Sequence, residues 1–349
     1  MNRVFSLLLV LLIMFSCGKR ETFKTRNFSK VEIETLIEDS LLNIRALEIN
    51  EGRVVAAASN GKIYRSILSY MSNFEEGNYW TFTEDSLKNS NFRSVAFEGD
   101  KTFTLSIGSP AKLFCDGNLV YFENHPKVFY DAIKFWNNQE GIAIGDPIDD
   151  CMSIIITRDG GSTWKKLPCS ILPKTIQGEA AFAASNTNIT IVGNNTWVAT
   201  GGKASRVLYS PDKGNTWLVF ETPIIQGLET TGIYSIDFYD ELNGFAIGGN
   251  YTKPNDNKAN KIKTVDGGKT WKLVGENQNP SYRSCVQFIP NRKGKELVAI
   301  GFKGIDYSND SGETWKHLND EGFYTIRFLN DSIAYAAGAG RISKLTFRE

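Results

Sequence analysis

The chain has 349 residues, with 39 Lys and Arg balancing 39 Asp and Glu, so it carries no net charge. That balance argues against an electrostatic nucleic-acid binder. Two histidines, and five cysteines without a Cys-x-x-Cys spacing, argue against His-based acid–base chemistry and against a zinc site.

Met1-Asn2-Arg3 is a short positive segment, and Phe5 to Phe15 is an apolar run too short to span a bilayer. Residues 1–17 therefore read as an export signal. The run ends in Met14-Phe15-Ser16-Cys17, followed by Gly18-Lys19. Ser16-Cys17 resembles a bacterial lipobox, whose cysteine carries a lipid after cleavage, although Phe15 is bulkier than the residue usual there. The resemblance implies lipidation at Cys17, anchoring to a bacterial membrane, and residence in the periplasm or on the cell surface. Cleavage by an ordinary signal peptidase, with Cys17 incidental, is the other reading. Residues 18–30 are polar and are expected to be a tether, with a single domain over 31–349.

Val31 to Ile37 alternates in polarity and reads as a strand. A five-residue run then recurs at 45–49, 93–97, 131–135, 180–184, 234–238, 284–288 and 324–328. Its second residue is always small or short, which suits an inner strand crowded near an axis. Each run precedes an apolar strand that enters a Gly-containing turn, such as Gly141 to Gly145 or Gly244 to Gly248. The strongest repeat is [S/T]-x-D-x-G-x-T-W, found around Asp159 and Trp164, Asp212 and Trp217, Asp266 and Trp271, and Asp310 and Trp315. Those aspartates lie 53, 54 and 44 residues apart, the length of a four-stranded blade. Their carboxylates and the Ser or Thr hydroxyls can close a compact turn, so these residues are assigned a structural role. The sequence thus predicts an all-β, seven-bladed β-propeller of four-stranded antiparallel blades. The strand at about 31–37 is expected to join the C-terminal blade and close the ring. Among the cysteines, Cys151 and Cys169 are the first pair to test for a disulfide; the default is four small buried residues.

The [S/T]-x-D-x-G-x-T-W turns resemble the Asp-box of BNR repeats. Together with the Gly-turn strands they make the chain similar to YVTN/BNR-like propellers, including the photosystem II stability/assembly factors. Runs such as Gly178 to Ser185, Thr200-Gly201-Gly202, Gly248 to Pro254 and Tyr282-Arg283-Ser284 also resemble a bacterial secreted BNR family whose members carry an "oxidoreductase" label. The resemblance implies a rigid scaffold that binds a partner protein or a glycan in the envelope.

Ligands are expected on the face opposite the Asp-containing turns. Arg45, Arg93, Asp131, Asp146, Glu179, Tyr234, Tyr251, Lys253, Arg283 and Tyr324 are the candidates there. A sialidase-like glycoside hydrolase is the alternative, because three Arg, a Tyr and acidic residues are the types that chemistry needs. The Arg-Ile-Pro signature of that class is missing. An oxidoreductase is the lesser alternative, since no G-x-G-x-x-G fingerprint joins a strand to a helix. The expectation is a monomeric binding protein, not an enzyme, with no cofactor, no metal and no nucleic-acid partner.

Overall fold

The computed structural model describes residues 23–67, 80–83 and 90–349. The expected signal and Cys17 lie outside those residues. The fold is an all-β propeller of antiparallel sheets. Four sheets have four strands each, and their inner strands are Phe92–Glu98, Tyr130–Phe135, Ile189–Val192 and Cys285–Phe288. A fifth sheet is built on Thr231–Phe238, Gly244–Asn250, Lys261–Thr264 and Lys272–Leu273. It is extended by the two-residue pieces Glu179–Ala180 and Gly201–Gly202.

The sixth sheet corrects the sequence-based count: the described residues form six blades, not seven. The 21-residue strand Lys30–Asn50 pairs first with Ala339–Arg348 and then, from Ile44, with Arg53–Ala58. The first and last repeat units are thereby fused into one seven-stranded sheet. Register shifts between Thr35 and Ile37 and between Glu38 and Asn43 let the strand bend from one partner to the other.

A second correction concerns the run 180–184. Only Glu179–Ala180 is extended in a ladder; the inner strand of this unit is Ile189–Val192, paired with Asn195–Ala199. Residues 182–188 instead cross the central channel. They are held there by six inner strands or the loops that enter them. Arg45 Nη1 donates to the Ala184 carbonyl at 3.2 Å. Asn186 donates to the Val95 carbonyl at 2.8 Å and accepts from Ile133 N at 3.2 Å. The Thr187 hydroxyl donates to Ser235 Oγ at 2.7 Å, and Ser185 Oγ to the Ser284 carbonyl at 2.7 Å. The Thr325 hydroxyl donates to the Ser185 carbonyl at 2.9 Å. A buried irregular backbone is stable only when its polar groups are paired in this way.

The Asp-containing turns are alike at all four positions. In the first, Thr163 N and Oγ1 donate to the Asp159 carboxylate at 2.8 and 2.6 Å. Gly161 N donates to Thr157 Oγ1 at 2.9 Å, and Trp164 Nε1 to the Gly161 carbonyl at 3.2 Å. The same bonds recur around Asp212, Asp266 and Asp310. Trp164 and Trp271 are buried, while Trp217 and Trp315 are half-buried. Every one of these carboxylates is spent on its own turn.

Two further expectations are revised. Cys151 and Cys169 form a disulfide, while Cys115 and Cys285 are free thiols. Part of the stretch read as a tether is docked on the propeller. Arg26 grips the buried Glu296 with Nε at 3.0 Å and Nη2 at 2.7 Å, and Phe28 packs on Tyr307 and Phe347.

Candidate functional site

The crossing segment closes the channel a short way below its mouth and leaves a cup of about 440 Å³ above it. Residues 180–184 form one side of the cup, with Arg45, Arg93, Asp146, Tyr234, Tyr282 and Tyr324 among the residues around it. Each wall residue stands at the start of an inner strand or just after a second strand. These are the positions where the chain reaches the channel mouth. The close approach there is steric: a Cβ on Gly145 would lie 2.2 Å from the Phe129 carbonyl oxygen, so only glycine lets Asp146 reach the cup.

The wall is aromatic. The rings of Phe182 and Tyr234 stack with centroids 4.1 Å apart, and Tyr282 meets Tyr234 edge-on at 4.9 Å. Phe302 lies 5.3 Å from Tyr282, and Tyr251 reaches Tyr234 at 6.4 Å from the rim. Burial and neighbouring hydroxyls hold the Tyr234 phenol far above its ordinary range, so it is a neutral hydroxyl, donating to the Thr230 carbonyl at 2.9 Å.

Two cations sit in this apolar wall. The Arg45 guanidinium lies 3.9 Å above the Tyr324 ring, and its Nε is buried without a hydrogen-bond partner. Burial lowers its pKa. Arg93 donates Nε to Asn91 Oδ1 at 3.3 Å. Burial, and then the charge of Arg45, pulls its pKa down to about 10. Among the described residues neither arginine forms an ion pair. A desolvated cation without a counter-charge costs several kcal/mol. Two side by side make a preformed anion site.

The acidic candidates divide. Asp146 lines the cup and accepts Ala181 N at 2.8 Å; burial raises its pKa to about 6. Asp131 is fully buried beside it, and neither of its carboxylate oxygens has a hydrogen-bond partner. Glu179 does not face the cup: it is buried and gripped by Arg206 through Nη2 at 2.6 Å and Nε at 3.1 Å. Arg283 is likewise withdrawn, with Nε 2.7 Å from the buried Asp306. Lys253 is exposed and does not line the cup. Of the set that a sialidase-type mechanism requires, the third arginine, Arg283, and the acid Glu179 are withdrawn into separate ion pairs, while Asp131 stays beside Arg93.

Of the candidates, Arg45, Arg93, Asp146, Tyr234, Tyr251 and Tyr324 line this one cup. Phe182, Tyr282 and Phe302 were not among the candidates. Their signal was present: Tyr282 and Phe302 flank Arg283 and Gly301 at the two ends of one hairpin, and Phe182 is the one large residue in an alanine-rich run.

No protein-family model and no curated protein sequence matches the chain. Solved structures do. YCF48 bound to a D1 peptide is 14% identical, with a TM-score of 0.64 over 94% of this chain and 98% of that one. YCF48 from Cyanidioschyzon merolae is 13% identical, with a TM-score of 0.62 over 91% of this chain and 98% of that one. The WD40 repeats of RRP9 are 10% identical, with a TM-score of 0.64 over 93% of this chain and the whole of that one. At such identities the likeness is one of fold, and it makes this chain a β-propeller whose neighbours include YCF48 and WD40 proteins alike.

Proposed function

We propose that this chain is a binding propeller of the BNR type, exported and held at a membrane through Cys17, which uses the cup to hold an anionic segment of a partner protein. The observation that carries the reading is the pair Arg45 and Arg93, two cations that form no ion pair among the described residues, in an aromatic wall above a closed floor. A segment presenting a carboxylate beside an apolar side chain would satisfy both features of the wall. The exposed Tyr251 and Phe302 add apolar contact area at the rim of the cup. The neighbour YCF48, which binds a D1 peptide, gives a precedent for peptide binding on this fold.

The reading is tested with a photo-crosslinking residue at Phe302 in the native envelope. One discrete protein adduct is expected, lost when Arg45 and Arg93 are both changed to Glu. An adduct that survives that change sinks the proposal. Replacing Cys17 by Ser should release the protein from the membrane fraction; continued membrane retention would refute the lipid anchor.

A further inference from the structure

We propose that the cup takes up its anion together with a proton, which is held by the Asp131 and Asp146 carboxyls beside Arg93. The inference rests on the anion-binding reading above and adds a linkage to it.

Asp131 belongs to the strand Tyr130–Phe135, is fully buried, and spends neither oxygen on a hydrogen bond. Asp146 follows the adjacent strand Gly141–Gly145 and spends Oδ1 on the backbone of the crossing chain at Ala181. A carboxylate buried with no donor is costly in its charged form. Among the described residues the groups facing the pair are few. Arg93 faces it from the strand Phe92–Glu98, and Arg45 lies beyond Arg93 on Lys30–Asn50. Tyr324 lies against the two arginines, and the chain leading into the crossing offers Ala181 N to Asp146. Burial, then the neighbouring Asp146, holds Asp131 well above the usual carboxylate range, and only Arg93 opposes that rise.

The consequence is electrostatic. In the empty cup, the charge of Arg93 favours an ionised Asp131. An anion seated on Arg45 and Arg93 cancels that charge, and the carboxyl loses the cation that made ionisation tolerable. The carboxyl pair then binds a proton more tightly. By linkage the reverse holds: protonating the pair strengthens anion binding. Affinity should rise as pH falls through the range of the pair.

Calorimetric titration with benzenesulfonate tests this, because a sulfonate stays charged throughout and any proton taken up belongs to the protein. Wild-type protein should bind about tenfold more tightly at pH 5.5 than at pH 7.5, equivalent to a pKa rise of about one unit. The heat should also vary between buffers as net proton uptake requires. Asp131→Asn should still bind, with the ratio between the two pH values below about threefold. Because that variant bears on folding, a second measurement uses wild type alone. Carboxyl NMR titration of aspartate-labelled protein should show a high-pKa carboxyl moving up when benzenesulfonate is added. Equal affinity at the two pH values, together with binding that Arg45→Ala abolishes, overturns the proton coupling and leaves the anion site standing. Binding that is absent, or indifferent to Arg45→Ala, overturns the anion site and the coupling with it.

Discussion

Arg93 is a cation in a poor place for a cation, and its cost to the fold is measurable. Among the described residues it gives one hydrogen bond, to Asn91, and forms no ion pair; Arg45 repels it more than Asp131 attracts it. Replacing a buried, uncompensated charge by an apolar side chain of similar length is often stabilising. Arg93→Met is expected to raise the unfolding free energy by about 1 kcal/mol in urea titrations while abolishing anion binding. A loss of stability instead would give Arg93 a structural role. Asp146 makes a pH-dependent contribution of opposite character. Its folded pKa of about 6 lies above its ordinary 3.8, so the folded state holds the proton more tightly. Its contribution is full below pH 3.8 and is lost as pH rises through 6. Asp146→Asn keeps an acceptor for Ala181 N but has nothing to titrate. Relative to wild type, that variant should therefore gain stability between pH 4 and pH 7, and a constant difference would exclude the linkage. At this scale the sequence was informative about which residue types reach the channel mouth. It was silent on Glu179 and Arg283, because their partners Arg206 and Asp306 lie on third strands 27 and 23 residues away. Nothing local marks such a pairing.

The crossing segment 182–188 is the element on which the site depends, and it is where pattern reading failed. Ala180-Ala181-Phe182-Ala183-Ala184 mimics an inner strand in spacing. The contrary signals were the small Ala184 at its end and the polar Ser185-Asn186-Thr187-Asn188 before the true strand at Ile189. Asn186 is the keystone of the crossing. It is fully buried at φ +60°, a left-handed conformation that Asn tolerates better than other side-chain-bearing residues, and its amide bonds two different sheets. Asn186→Ala leaves Val95 O and Ile133 N unpaired and should cost about 3 kcal/mol in chemical denaturation. Asn186→Gly relieves the backbone but not the lost bonds, so it should fall about 1 kcal/mol short of that cost. Equal costs would place the whole effect in the hydrogen bonds. The disulfide Cys151–Cys169 anchors the chain that leads into this crossing and spans a separation of 18 residues. Removing both cysteines in favour of serine should cost about 3 kcal/mol if loop entropy dominates.

The whole molecule is a ring, and what the sequence could not convey was how the ring is joined. Local periodicity marks units and says nothing about a strand shared between two of them. That is why seven repeat units became six hydrogen-bonded blades once Lys30–Asn50 was seen to pair on both sides. The closure is clasped from outside by Arg26 on Glu296 and by Phe28, which is buried between Tyr307 and Phe347. The ladder between Lys30 to Thr35 and Ala339–Arg348 should then open as one unit, although Ala339–Arg348 keeps its other ladder, to Ile333–Ala337. Phe28→Ala removes the aromatic half of the clasp and should cost about 3 kcal/mol. Native-state hydrogen exchange separates a shared closure from simple fraying. Amides that the two segments bond to each other should lose protection by the same free energy in Phe28→Ala, while those in Gly244–Asn250, across the ring, stay unchanged. If residues 30–35 alone become labile and the amides of Ala339–Arg348 that face them keep their protection, the N-terminal strand is an appendage to a ring that closes without it.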